Sequence, residues 1–257
     1  MELIDTHCHL TFEQIAGDLD SVLLRSRQAG VDGWIVVGTN AAENPKVVTL
    51  AQEYDNMYAA VGIHPHYAKD VTDETMAELK ELAQNEKVVA IGETGLDFHY
   101  NFSVQPLQKQ VFAKHLKIAI EMNKPVIVHS REAFDETVEI LDQYNSKIEK
   151  IVFHCFSGSV EQAKIILDKG YYISFTGVVT FKNAQAIREA AKLVPIEKMM
   201  VETDCPFMSP APMRKQKVNE PALMVHTARL LAEIKETSLE DFAKKVTATS
   251  RKFFGIG

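Results

Sequence analysis

Leu3-Ile4-Asp5-Thr6-His7-Cys8-His9-Leu10 is the stretch that decides the fold. It begins as a short apolar run, the signature of a buried strand. In an open doubly wound sheet, the turn after the first strand carries a glycine-rich phosphate loop. Here that turn carries His7-Cys8-His9. Side chains two apart share one face of a strand, so His7 and His9 project together toward the axis of a closed sheet, with Cys8 on the other side. Polar side chains gathered at a strand's C-terminal end suit the active face of a (β/α)8 barrel.

The rest of the chain repeats this texture. Apolar, β-branched runs predict strands at Leu3–His9, Trp34–Gly38, Met57–Ile63, Val88–Glu93, Val126–His129, Ile151–His154, Tyr171–Phe175 and Met199–Asp204. Helical periodicity falls between them, near 14–30, 41–54, 74–85, 105–123, 131–144, 159–169 and 182–194. Two more helical stretches follow, near 220–235 and 238–252. Eight βα units predict an α/β fold, a (β/α)8 TIM-type barrel, as a single domain over 1–257. Gly30 and Gly170 stand where helices should stop. Ser238 with Asp241 three residues later resembles a capping box.

The 257 residues carry 28 Lys+Arg against 35 Asp+Glu, a net charge of −7, with 46% hydrophobic and 25% charged side chains. Such a composition is that of an ordinary globular protein and excludes disordered, collagenous and low-complexity classes. No apolar run approaches the ~20 residues that span a membrane. The first residues have neither a basic n-region nor an h-region, so no secretory signal is expected. Cys8, Cys155 and Cys205 are odd in number and far apart, which predicts packed thiols in a reducing, cytoplasmic setting. An acidic chain is unsuited to non-specific duplex binding.

The strand ends gather metal-ligand chemistry. They read His7-Cys8-His9, Gly92-Glu93-Thr94-Gly95, His129-Ser130-Arg131, His154-Cys155-Phe156 and Glu202-Thr203-Asp204-Cys205-Pro206. One buried histidine is ordinarily a hydrogen-bonded core residue. Four histidines and two carboxylates at one end of a barrel are costly unless they hold cations. The expectation is a site for two divalent cations: His7, His9, Glu93 and Asp204 on one, and Glu93, His129 and His154 on the other, with Glu93 as bridge. Such N/O donors suit Zn, Mn, Fe, Ni, Co or Mg.

These motifs, with Gly62-Ile63-His64-Pro65-His66 and Ile91-Gly92-Glu93-Thr94-Gly95-Leu96-Asp97, resemble the TatD family of metal-dependent deoxyribonucleases in the amidohydrolase superfamily. The resemblance runs from residue 5 to 221. It implies hydrolysis of DNA phosphodiester bonds, often as a 3′→5′ exonuclease on single strands, and it implies His7, His9, Glu93, His129, His154 and Asp204 as metal ligands. It also implies His64 as a phosphate contact. Many amidohydrolases place a carboxylated lysine on strand four, whereas Glu93 matches the TatD pattern. One departure concerns the stretch before Asn219-Glu220-Pro221. The family usually has an Arg-Gly pair there, and this chain reads Met213-Arg214-Lys215-Gln216-Lys217-Val218, with Lys215 or Arg214 as candidate cation.

On this reading Glu93 and Asp204 act at the metals, and Asp204 orients water and accepts its proton. His64, Arg131 and Lys215 contact substrate. Glu202 and Asp5 are expected behind the ligands, orienting them. His115 and His226 fall in helices, packed or solvated. Ser157-Gly158-Ser159 can be an anion cradle or a plain helix cap. No membrane or obligate protein partner is implied. The competing expectations are a hydrolase of a small amide, ester or phosphoester, and a non-catalytic metal-binding protein.

Overall fold

The computed structural model describes residues 2–144 and 146–257; Met1 and Asn145 lie outside them. The strands are β1 (Leu3–Cys8), β2 (Val31–Val37), β3 (Met57–Val61), β4 (Val88–Asp97), β5 (Val126–Arg131), β6 (Ile151–Phe153), β7 (Tyr172–Phe175) and β8 (Met199–Val201). One eight-stranded sheet holds them in chain order, and every described pairing is parallel. This is the expected α/β barrel of eight parallel strands with helices between them.

Boundaries differ where local chemistry intervenes. The expected helix over 14–30 is two helices, Glu13–Ala16 and Leu19–Gln28, parted at Gly17 and Asp18. β4 runs on to Asp97, well past the expected Glu93. β6 and β8 stop at Phe153 and Val201, before their polar ends. Ser159 and Gln162 close a reciprocal capping box, so the Ser157–Ser159 turn serves as a helix cap. Ser238 also caps its helix, accepting the Asp241 N–H at 3.1 Å.

The chain divides into two compact units. The first comprises residues 2–36 and 155–257. Its core includes Trp34, fully buried, whose indole N–H donates to Ser26 Oγ at 3.0 Å. The C-terminal helix Leu239–Phe254 packs on β1 and β8, and its Phe253 meets Tyr172 of β7 at 4.9 Å between ring centroids. Beyond β8, the 202–205 segment is tied to β1: Asp204 N–H donates to His7 C=O, and His9 N–H donates to Cys205 C=O, both at 2.9 Å.

The second unit comprises residues 37–154, except Asn145. In it β4 and β5 come unusually close at two glycines. Gly92 has φ +149° and Gly95 φ +140°. A Cβ at Gly95 would sit 2.0 Å from His129 O, and one at Gly92 would sit 2.7 Å from Ile127 O. Only glycine adopts that backbone without strain and leaves that space. The close approach sets Glu93, between them, beside β5.

His115 belongs to the same unit. It lies on the helix Gln105–Met122 and is fully buried. Its Nδ1–H donates to Val111 C=O at 2.8 Å, so Nε2 accepts the Ile63 N–H at 2.9 Å. The neutral ring therefore props the end of β3, immediately before His64. Burial pushes its pKa down to about 4.

A group depressed on folding favours the native state above its unfolded pKa and penalises it as pH falls. The unfolded chain takes up this proton near 6.5, whereas the native chain takes it up only near 4. Between pH 7 and pH 5 His115 should cost about 2 kcal/mol of stability. Urea unfolding of wild type and His115→Gln at both pH values measures this: the variant's acid-linked loss should be smaller by about that amount. Equal losses in the two proteins refute it.

Candidate metal centre

In the first unit, β1 places His7 and His9 on one face, and the turn after β8 brings Asp204 to them. Asp204 Oδ1 lies 3.2 Å from His9 Nε2 and 3.8 Å from His7 Nε2. One donor atom from each of the three falls within 4.8 Å of the others, and all three are buried. Two imidazoles and a carboxylate are a fitting donor set for a first-row divalent ion. Asp204 has φ +54°, off the regular strand, so the alternation expected to carry Glu202 and Asp204 on one face ends at Val201.

Asp5 holds the turn that carries Asp204. It accepts the Thr203 N–H at 2.9 Å and the Thr203 hydroxyl at 2.5 Å. Burial pushes its carboxyl up to about 7 despite these donors. Glu202 accepts the Cys155 N–H at 2.6 Å and lies within 3.4 Å of Thr6 Oγ1. Asn219 is fully buried and donates to the carbonyls of Thr203 and Phe207, at 3.0 and 2.7 Å. Glu220 receives a bidentate Arg25. The Asn219-Glu220-Pro221 motif thus staples the loop that follows Asp204. On that loop Lys215 is exposed, and the Arg214 guanidinium lies 3.6 Å from the Phe181 ring centroid. Cys8 and Cys205 are buried and Cys155 half-buried; none is in a disulfide.

In the second unit, Glu93 is 3% exposed and surrounded by imidazoles. Its Oε1 lies 2.7 Å from His154 Nε2, 2.8 Å from His129 Nδ1 and 3.5 Å from His64 Nε2. Burial alone would raise this carboxyl; His154 beside it and the hydrogen bonds from His129 and His154 hold it well below the usual range. Donor atoms of His64, Glu93 and His129 group within 4.8 Å.

His64 differs from the others in its protonation geometry. Its Nδ1 accepts the His66 N–H at 3.2 Å, which puts the proton of the neutral ring on Nε2. Burial pushes its pKa well below 6.5, outweighing the attraction of Glu93, so the ring stays neutral. His64 therefore presents an N–H donor toward Glu93.

The extension of β4 puts Asp97 on Glu93's alternation, two and four residues on through Gly95. Asp97 Oδ2 lies 3.1 Å from both His129 Nε2 and His66 Nε2. Burial would raise this carboxyl, but the His129, His66 and Tyr100 donors hold it far below the usual range. A carboxylate on the second nitrogen of a ligand histidine fixes its orientation. Sequence reading assigned Asp97 no role, because it ended β4 at Glu93. Continuing the period-two pattern through Gly95 would have reached it. Arg131 is exposed and stacks over Tyr100, its guanidinium carbon 4.7 Å from the ring centroid.

The family model described as "TatD related DNase" matches residues 4–255. A metal-dependent hydrolase of uncharacterised activity, YabD of Bacillus subtilis (strain 168), is 41% identical over 99% of each chain. A protein named 3′-5′ ssDNA/RNA exonuclease TatD, from Pantoea ananatis (strain LMG 20103), is 36% identical over 99% of this chain and 100% of its own. Among solved structures, YJJV, a TatD homologue from Escherichia coli K12, superposes with a TM-score of 0.91 at 31% identity, covering 99% of this chain and 98% of its own. With buried His/Asp and His/Glu clusters in place, the chain belongs to the TatD family of metal-dependent hydrolases.

Proposed function

We propose that this hydrolase cleaves phosphodiester bonds in single-stranded DNA, working from the 3′ end, in a reducing cytoplasmic setting. The observation that carries the reading is His64: a buried, neutral imidazole whose Nε2–H is aimed at a cluster of metal-ligand type. A ring so protonated cannot ligate through Nε2, but it can donate to a phosphoryl oxygen. The 36% identity to a protein named as a single-strand exonuclease supports the same reading. A hydrolase of a small amide, ester or phosphoester would use the same donor set, but would have no use for Arg131 held outside it on Tyr100.

The assignment of ligands follows the sequence. His7, His9 and Asp204 would hold one divalent cation and Glu93, His129 and His154 a second, with Glu93 also contributing to the first. Bound cations would supply a lowered water pKa and offset the charge of the phosphate. Asp204 accepts the proton of the attacking water. His64 donates to a non-bridging oxygen, and Arg131 and Lys215 contact neighbouring phosphates. Asp97 keeps His129 oriented throughout.

Metal analysis tests the ligand assignment. Reconstituted protein should carry two ions per chain, and Glu93→Ala should lose both; loss of one alone removes the bridging role. For the proton acceptor, Asp204→Asn keeps shape and removes the base. Its kcat on labelled single-stranded DNA should fall at least ~100-fold while it still binds DNA and at least one ion; near-wild-type turnover refutes the role. In the pH profile, activity should fall below about pH 6–7, where protons compete for the histidine ligands. A rate flat to pH 5 with metal saturating contradicts the ligand set.

A further inference from the structure

The loop after β4 exposes two large aromatic side chains. Tyr100 is 49% and Phe102 57% exposed. Their rings stack, with centroids 5.3 Å apart and planes 13° from parallel. Exposed aromatics of this size are a feature of recognition surfaces. The loop beneath them is firmly held. Asp97 Oδ1 accepts the N–H groups of His99 and Tyr100, at 3.0 and 2.9 Å. Ser103 Oγ accepts the Lys69 N–H at 3.0 Å and donates to His66 C=O at 2.8 Å. Gln108 Nε2 donates to the carbonyls of Ser103 and Asp97. Little further ordering would be needed when the rings take a ligand.

Two observations indicate the ligand. The first is charge: Arg131 lies over Tyr100, placing a cation at the edge of the aromatic pair. The second is continuity with the histidine cluster. His66 meets Tyr100 and Phe102 edge-on, at 5.5 and 4.8 Å. His64 is the next ring, 4.2 Å from His66, and His129 follows, 4.5 Å from His64. A planar apolar group joined to a phosphate would meet an aromatic face, a guanidinium and then the His64 donor in succession. A nucleotide unit of a single strand has that layout.

We infer that Tyr100 and Phe102 are a stacking platform for a nucleobase adjacent to the scissile phosphate, with Arg131 on the phosphodiester beside it. The inference rests on the nucleic-acid reading of the site and names residues that hold the strand. Stacking uses the face common to all bases, so it favours single strands over duplex and discriminates weakly among sequences.

The test uses metal-loaded protein and oligonucleotides that differ only at one residue near the 3′ end: adenine, 2-aminopurine or an abasic linker. Asp204→Asn protein serves for binding, so that the strand is not consumed. Wild type should show a KM about 10-fold lower for the base-bearing strand than for the abasic one. In Phe102→Ala and Tyr100→Ala that ratio should collapse toward one, with KM raised more than kcat is lowered. Stacking quenches 2-aminopurine emission, and the quench should weaken in both variants and return in Phe102→Trp. Rescue by tryptophan distinguishes stacking from loss of loop structure. If wild type cleaves base-bearing and abasic strands alike, the platform is refuted and the nuclease reading stands. If wild type neither binds nor cleaves any strand, both fall. A variant that changes only the mass in solution, with KM and the quench intact, marks the pair as a contact between copies of this chain and overturns the proposal.

Discussion

Glu93 sets the terms for everything around it in the 37–154 unit. A carboxylate at 3% exposure loses most of its hydration, a loss that ordinarily drives such a group to protonate. Its charge is kept by imidazoles from β5 and from the ends of β3 and β6. Bringing them within reach requires β4 and β5 to approach more closely than side chains allow, hence the backbone at Gly92 and Gly95. It also requires each imidazole to be fixed from behind. Asp97 does this for His129, the His66 N–H does it for His64, and His115 supports the end of the strand from which His64 departs.

The other unit reaches a comparable cluster by different means. β1 supplies His7 and His9 from regular strand geometry. Asp204 comes from an irregular turn with positive φ, a conformation that costs energy for a residue other than glycine. The turn is held by polar groups buried behind it: Asp5 on Thr203, and Asn219 on the carbonyls of Thr203 and Phe207. Three of the sequence motifs are thereby joined, since Asp5, Thr203 and Asn219 are 214 residues apart at the extremes but share one hydrogen-bond network.

Strand number, order and the polar character of the strand ends were legible because they depend on periodicity and on residue type. His7, His9 and Asp204 could be grouped from a strand argument that remains valid at β1. The same argument weakened where strands end early: Glu202 takes the Cys155 N–H because β8 stops at Val201. It also stopped short on β4, where the strand was ended at Glu93. The strand runs on through Gly95 to Asp97, beyond the end at which the apolar run gives way to polar residues. His115 was unreadable for another reason. A histidine on a helix is identified as buried only when the helix face is known, and its acceptor role depends on Ile63, 52 residues away. Tyr100 and Phe102 lie outside any periodic segment, and no pattern in the sequence marks their stacking.

The manner in which Asp97 holds the loop after β4 bears on how such an enzyme can diversify. Its Oδ1 grips main-chain N–H groups, those of His99 and Tyr100, and no side chain of the loop. Every amino acid but proline supplies such a group. At residues 99 and 100 the loop's course is thus set by main-chain groups and not by the side chains displayed, with the Ser103 hydroxyl fixing its far end, while the other oxygen of the same carboxylate keeps His129 in place. New surface chemistry can be installed at positions 100 and 102 without re-engineering the catalytic floor. A lineage carrying this device can explore substrates by point substitution at the rim, one residue at a time, with the costly buried arrangement inherited unchanged.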